Sequence, residues 1–124
     1  MKPTVTFYEM IGGEQTIRDI VEAFYPKVLA DPLLRPIFPE DIEPVIDKQF
    51  MFLTQFFGGP MLYSEVHGQP MMRARHLPFE ITPERAAAWL KCMHEALQEV
   101  GIDEEVCEAM MTRLTGPAYH FVNS

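Results

Sequence analysis

The 124 residues suffice for one domain with a core of ordinary size, and 48% hydrophobic against 23% charged residues sets the chain among globular rather than disordered proteins. Ten Lys and Arg against 18 Asp and Glu give a net charge of −8, which repels a phosphate backbone and argues against nucleic acid as a partner. No apolar run approaches the ~20 residues that span a bilayer, and MKPTVTFYEMIGGEQ has acidic residues where a secretory signal is apolar, so the expectation is a cytoplasmic protein with no membrane partner.

After Gly12-Gly13, EQTIRDIVEAFYPKVLA places Ile17, Ile20, Val21, Phe24, Val28 and Leu29 at spacings of three and four, the pattern of an amphipathic helix. Tyr25 lies on the edge of that face. Pro26 has no amide hydrogen to give the helix, so distortion is expected there. The proline-rich run ADPLLRPIFPED then ends the helix and turns the chain, with Phe38 as the large apolar residue of the corner. In DIEPVIDKQFMFLTQFF, Ile42, Val45, Ile46, Phe52, Leu53, Phe56 and Phe57 share one broad helical sector, with Glu43, Asp47, Thr54 and Gln55 opposite. Gln49 falls inside the apolar sector, where its amide needs a partner in a neighbouring loop or faces a cavity.

GGPMLYSEVHGQP shows no usable periodicity and reads as an ordered loop, unusually long for so small a domain. A short turn over Met71 to His76 follows, closed by Pro78. Thr82 and Pro83 form a strong helix start, and the helix carries Ala86, Trp89, Leu90, Met93, Leu97 and Val100 on one face before Gly101 caps it. Asp103 opens a last helix with Val106, Met110, Leu114 and Phe121 inward, interrupted by Pro117. With no strand-like alternation, repeat or low-complexity segment, the fold class is all-α.

Hydrolytic and multi-ligand metal chemistry find no foothold. His67, His76, His94 and His120 lack zinc spacing, and Cys92 and Cys107 lack CxxC spacing and read as buried thiols. There is no Gly-rich phosphate loop after a strand and no GxSxG elbow. What remains is a helical domain with an isolated histidine in MMRARHLPF, aromatics from three segments and a few inward polar groups. By residue type alone, His76 suits a solvent rim or a metal ligand, and the whole inventory suits either a plain core or a large flat cofactor held through one axial imidazole.

The order FYPKVLADPLLRPIFPED, QFMFLTQFFGGPMLYSEVHGQPMMRARHLPFEIT, RAAAWLKCMH and HFVNS resembles the group II truncated haemoglobins from about Phe7 to the C-terminus. The long ordered block GGPxxYSExHGxPxxRxRHxPFxI carries most of the resemblance. It implies a single truncated globin domain over residues 1–124, a two-over-two helical sandwich around haem b. His76, in the RHxPF motif, would be the proximal iron ligand, with Phe79 packing near the haem. Lys48, Tyr63 and Arg75 stand where relatives hold the haem propionates, and Phe52, Leu53 and Met93 would add apolar cofactor contacts.

On the distal side, Tyr25 matches the family tyrosine and Trp89 the tryptophan that defines the group. Phe38 fills a corner position that is Phe, Tyr or His in relatives, and Gln49 a position often Gln or Leu, which favours the cavity-facing reading of its amide. Val45 stands where many globins carry a distal histidine; it donates no hydrogen bond, and its branched side chain narrows the direct route from solvent. For Trp89 the competing reading is a core aromatic whose loss lowers stability without changing ligand release.

The resemblance thus implies a protein that reversibly binds dioxygen and other small diatomics (NO, CO), with Tyr25, Gln49 and Trp89 as donors that slow oxygen release. A haem enzyme of nitric oxide dioxygenation or peroxidase type, using peroxide, is the alternative, and a haem-free helical adaptor a third reading. The acidic surface suits a basic reductase partner, and a monomer or weak homodimer is expected.

Overall fold

The structure is a computed structural model, and it describes residues 5–68 and 80–123. Among these, every regular element is helical: α1 (Phe7–Ile11), α2 (Glu14–Ala30), a 3-10 turn (Arg35–Ile37), α3 (Glu43–Phe56), α4 (Leu62–His67), α5 (Pro83–Val100) and α6 (Glu104–His120). Helix α2 packs against α5 and α3, α5 also against α6, and α3 against α4. The core lies between them: Ile17, Ile20, Phe24 and Val28 from α2 meet Met93, Ala96 and Leu97 from α5 and Met110 from α6, all at 0–1% exposure. Each large apolar side chain so buried contributes about 1.5–3 kcal/mol, which is why the four long helices follow the apolar stripes.

The caps behave as the sequence predicts. The Thr82 hydroxyl accepts from the Arg85 amide at 3.1 Å with Pro83 at the first helical position, and Gly101 closes α5 in the left-handed region at φ 91°. Asp103 takes the cap position of α6 without a side-chain bond.

Four expectations are corrected. Pro117 does not interrupt the last helix, which runs on to His120, while Pro26 stands inside α2 as expected; the carbonyls the two prolines leave without an amide belong to Glu22 and Arg113, both exposed residues. The segment after Gly58-Gly59 is not all loop, for it contains α4. Thr54, placed on the polar side of α3, is fully buried, and its hydroxyl is without a partner. The apolar sector expected as one face is two: Phe50, Leu53, Thr54 and Phe57 turn to the core, and Val45, Lys48, Gln49, Phe52 and Phe56 to a cavity. The turn expected over Met71 to His76, and Pro78, lie outside the described residues.

Candidate functional site

A cavity of about 400 Å³ opens between α2, the corner after it, α3, α5 and the end of α6. Its size suits a small-molecule or cofactor pocket of roughly 300–1,000 Å³. Of the residues the sequence singles out, Tyr25, Phe38, Val45, Lys48, Gln49, Phe52, Tyr63 and Trp89 all line it. These come from five separate stretches of chain, so the tertiary fold is what gathers them.

Periodicity explains the local part of that gathering. Residues 45, 48, 49, 52 and 56 advance by three and four, a single stripe along α3. Arg85, Ala86 and Trp89 do the same on α5. Leu53 and Met93, expected as cofactor contacts, are not among the lining residues; both sit in the main core at 1% and 0% exposure. Leu53 belongs to the other stripe of α3, and Met93 lies one turn beyond Trp89, past the end of the cavity. His76, Arg75 and Phe79 lie outside the described residues.

Three aromatic rings of the lining, Phe38, Tyr25 and Trp89, are linked edge to face through one another and through the core residue Phe24. Phe38 meets Tyr25 with centroids 6.1 Å apart, Tyr25 meets Phe24 at 5.0 Å, and Phe24 meets Trp89 at 5.2 Å, with interplanar angles of 72–81°. Such contacts add about 0.5–1.5 kcal/mol each beyond area burial, and they fix the ring orientations. Tyr25 is 3% exposed, and burial pushes its phenol well above the ordinary tyrosine range. It therefore stays a neutral O–H donor at any physiological pH. Neither the Tyr25 hydroxyl, the Trp89 indole N–H nor the Gln49 amide has a hydrogen-bond partner among the described residues. Three donors on one wall are thus left to whatever occupies the cavity.

Ile81, Leu114, Pro117, Ala118 and Phe121 add an apolar part to the lining. Lys48 is exposed at the rim, and Tyr63, 2% exposed, rises from α4 with its ring 6.0 Å from that of Phe52. Helix α4 is held in place by a reciprocal pair: the Gln55 amide donates to Ser64 Oγ at 2.8 Å, and the Ser64 backbone N–H donates to Gln55 Oε1 at 3.0 Å. Arg85 is the charged wall residue that sequence reasoning missed. Its side chain reaches 52 positions along the chain to Leu33, and no local signal announces that contact.

The bacterial-like globin family model matches residues 6–123. The chain is a bacterial-like globin. It is 53% identical over 116 residues to the group 2 truncated hemoglobin YjbI of Bacillus subtilis, covering 94% of this chain and 87% of that one. Among solved structures, the group II truncated hemoglobin of Bacillus anthracis superposes with a TM-score of 0.95 at 51% identity, covering 99% of this globin and 95% of that chain. The truncated oxygen-avid haemoglobin of Bacillus subtilis superposes at 0.91 with 51% identity, covering 96% and 100%. The all-helical fold of this globin is that of the truncated haemoglobins.

The cofactor of this family is haem b, and the described residues of this globin fit it. A flat apolar ring needs apolar lining, which Phe38, Val45, Phe52, Leu114 and Phe121 supply, and its carboxylate-bearing edge needs cations and phenols, which Lys48 and Tyr63 offer.

Proposed function

We propose that this globin binds dioxygen and other diatomic ligands reversibly and releases dioxygen slowly, as a single domain over residues 1–124. Haem b, when bound, would supply a ferrous iron that takes a diatomic ligand, and His76, in the RHxPF motif, would hold that iron. The observation that carries the rest is the cavity lining shared by Tyr25, Gln49 and Trp89, whose donors have no hydrogen-bond partner among the described residues. Each offers an N–H or O–H to a ligand that draws negative charge, in a pocket shielded from water where such bonds strengthen.

Phe38 packs against Tyr25 and offers no hydrogen bond, so it orients the phenol rather than competing with it. Val45 likewise donates nothing and narrows the direct path from solvent. Lys48 and Tyr63, with Arg75, hold the acidic edge of the cofactor. That a solved relative at 51% identity is an oxygen-avid haemoglobin supports the assignment of slow release.

The test is spectroscopic and kinetic. The purified protein with supplied haem is expected to show a Soret band that shifts with dithionite and again with dioxygen or CO, and His76→Ala is expected to lose it. In stopped flow, Tyr25→Phe and Trp89→Phe should each release dioxygen about tenfold faster, because a bond to a charged partner is worth about 1.5–3 kcal/mol and 1.4 kcal/mol is one decade. No Soret band in the haem-supplied wild type, or unchanged release in both variants, overturns the reading. Consumption of nitric oxide or peroxide well above that of free haemin, with a reductant present, would instead make it an enzyme.

A further inference from the structure

The corner between α2 and α3 supplies Leu34, Ile37, Phe38 and Pro39 to the cavity, yet its own hydrogen bonds are almost all internal. The Asp31 carboxylate accepts from the Leu33 amide at 2.8 Å, and one Arg35 nitrogen donates to the carbonyls of Phe38 and Pro39 at 3.4 and 3.3 Å. Among the described residues, a single side chain ties this corner by hydrogen bond to α5. Arg85 Nε donates to the Leu33 carbonyl at 2.8 Å, while Nη1 donates to the Glu80 carbonyl at 2.7 Å with the Glu80 carboxylate 3.7 Å away. The planar guanidinium therefore holds the backbone carbonyls of Leu33 and Glu80, far apart in sequence, at one fixed spacing.

Its position gives that clamp a consequence for the ligand wall. Arg85 lines the cavity and is only 18% exposed, and it precedes Trp89 by four residues, one helical turn, on the same face of α5. The corner it grips carries Phe38, whose ring meets Tyr25. Two of the wall's donors, Tyr25 through Phe38 and Trp89 through the first turn of α5, are thus tied a second time across the Arg85 to Leu33 bond, in addition to the direct contact of Phe24 with both rings. We infer that Arg85 is a positioning residue for the distal wall: its fork fixes the corner against α5, and so fixes where the phenol and indole point. This rests on the ligand-binding function proposed above.

A comparison within the molecule separates this role from plain structural bracing. The chain beside Glu80 has a second brace, in which the Ile81 amide donates to Asn123 Oδ1 and the Asn123 amide to the Ile81 carbonyl, both at 2.9 Å. Neither of these bonds reaches the corner, and Asn123→Ala removes the Oδ1 acceptor while keeping the backbone bond, so this variant is expected to lower stability with a smaller effect on Tyr25 and Trp89 than loss of Arg85.

The experiment compares wild type, Arg85→Ala and Asn123→Ala by thermal unfolding, by the infrared stretching band of haem-bound CO, and by fluorescence of Trp89, the sole tryptophan. Both variants are expected to unfold at lower temperature. Arg85→Ala is expected, more than Asn123→Ala, to shift or split the CO band, move the Trp89 emission and speed dioxygen release by about threefold or more, the size of effect that residues acting through others produce. If Arg85→Ala does not retain haem, Arg85→Lys serves, since it keeps the cation but not the fork, and the shifted band should persist. An unchanged CO band and emission in the Arg85 variants, or equal changes in Asn123→Ala, overturn the inference. Should the wild type take up no haem, the proposed function fails, and Trp89 emission in the same proteins still decides the role of Arg85.

Discussion

Tyr25 shows how one side chain takes on chemistry through its surroundings. Its ring is packed edge to face by Phe24 and Phe38, while its hydroxyl has no hydrogen-bond partner among the described residues and the side chain lines the cavity. Burial disfavours the phenolate, so the pKa in the folded protein lies above the value of about 10 in the unfolded chain. For an acid whose folded pKa is raised, the protonated form is the stabilised one. Its contribution is whole below about pH 10 and is lost as pH rises above it, because the unfolded chain then sheds its proton first. The alkaline fall in melting temperature should therefore be shallower in Tyr25→Phe than in wild type; equal slopes above pH 10 would remove this account. Gln49 and Trp89 are legible from the sequence as inward-facing polar groups, but that they share a wall with Tyr25 depends on α2, α3 and α5 meeting.

At the scale of elements, the two shortest helices are the ones that periodicity misses. Helix α4 has six residues and α1 five, too few to form alone, since nucleating the first turn costs more than a few bonds return. Tertiary contacts hold both. Gln55 and Ser64 fasten α4 from two sides, and α1 lies over the Gly58-Gly59 turn, where the Tyr8 amide donates to the Phe57 carbonyl at 2.9 Å. The turn needs glycine for that approach: a Cβ on Gly59 would lie 2.7 Å from the Tyr8 ring, and Gly58, at φ +93°, would place one 2.6 Å from Thr6. Gln55→Ala should cost about 1–2 kcal/mol by stranding the Ser64 amide, whereas Ser64→Ala keeps the amide-to-Gln55 bond and should cost less. Denaturant midpoints give the order, and a larger loss in Ser64→Ala would contradict it.

Across the whole molecule, the cavity is both the site and a gap in the packing. A space of about 400 Å³ lined largely by apolar side chains such as Phe38, Phe52, Leu114 and Phe121 forgoes packing contacts when empty, so its occupant acts as part of the core. A ligand that binds only the folded state stabilises it by about 2.7 kcal/mol at a hundredfold excess over Kd, and more as binding tightens. Extracting the haem should thus lower the melting temperature by more than Gln55→Ala does, and should weaken the packing of α3 and α5 around the cavity first. Calorimetry of the loaded and extracted protein checks the size, and hydrogen exchange checks the place. No helix among the described residues is long and apolar enough to cross a membrane.

The amino-acid sequence by itself determined the four long helices, their caps at Thr82 and Gly101, and a family likeness resting on ordered motifs, because these depend on residues within a few turns of one another. It also marked Tyr25, Gln49 and Trp89 individually. It took the packing of the helices to bring those three donors onto one cavity with no hydrogen-bond partner among the described residues, to bury Leu53 and Met93 in the main core, and to join Leu33 to Glu80 through Arg85. Helical periodicity places a side chain on a face; which neighbour covers that face is settled by how the helices pack.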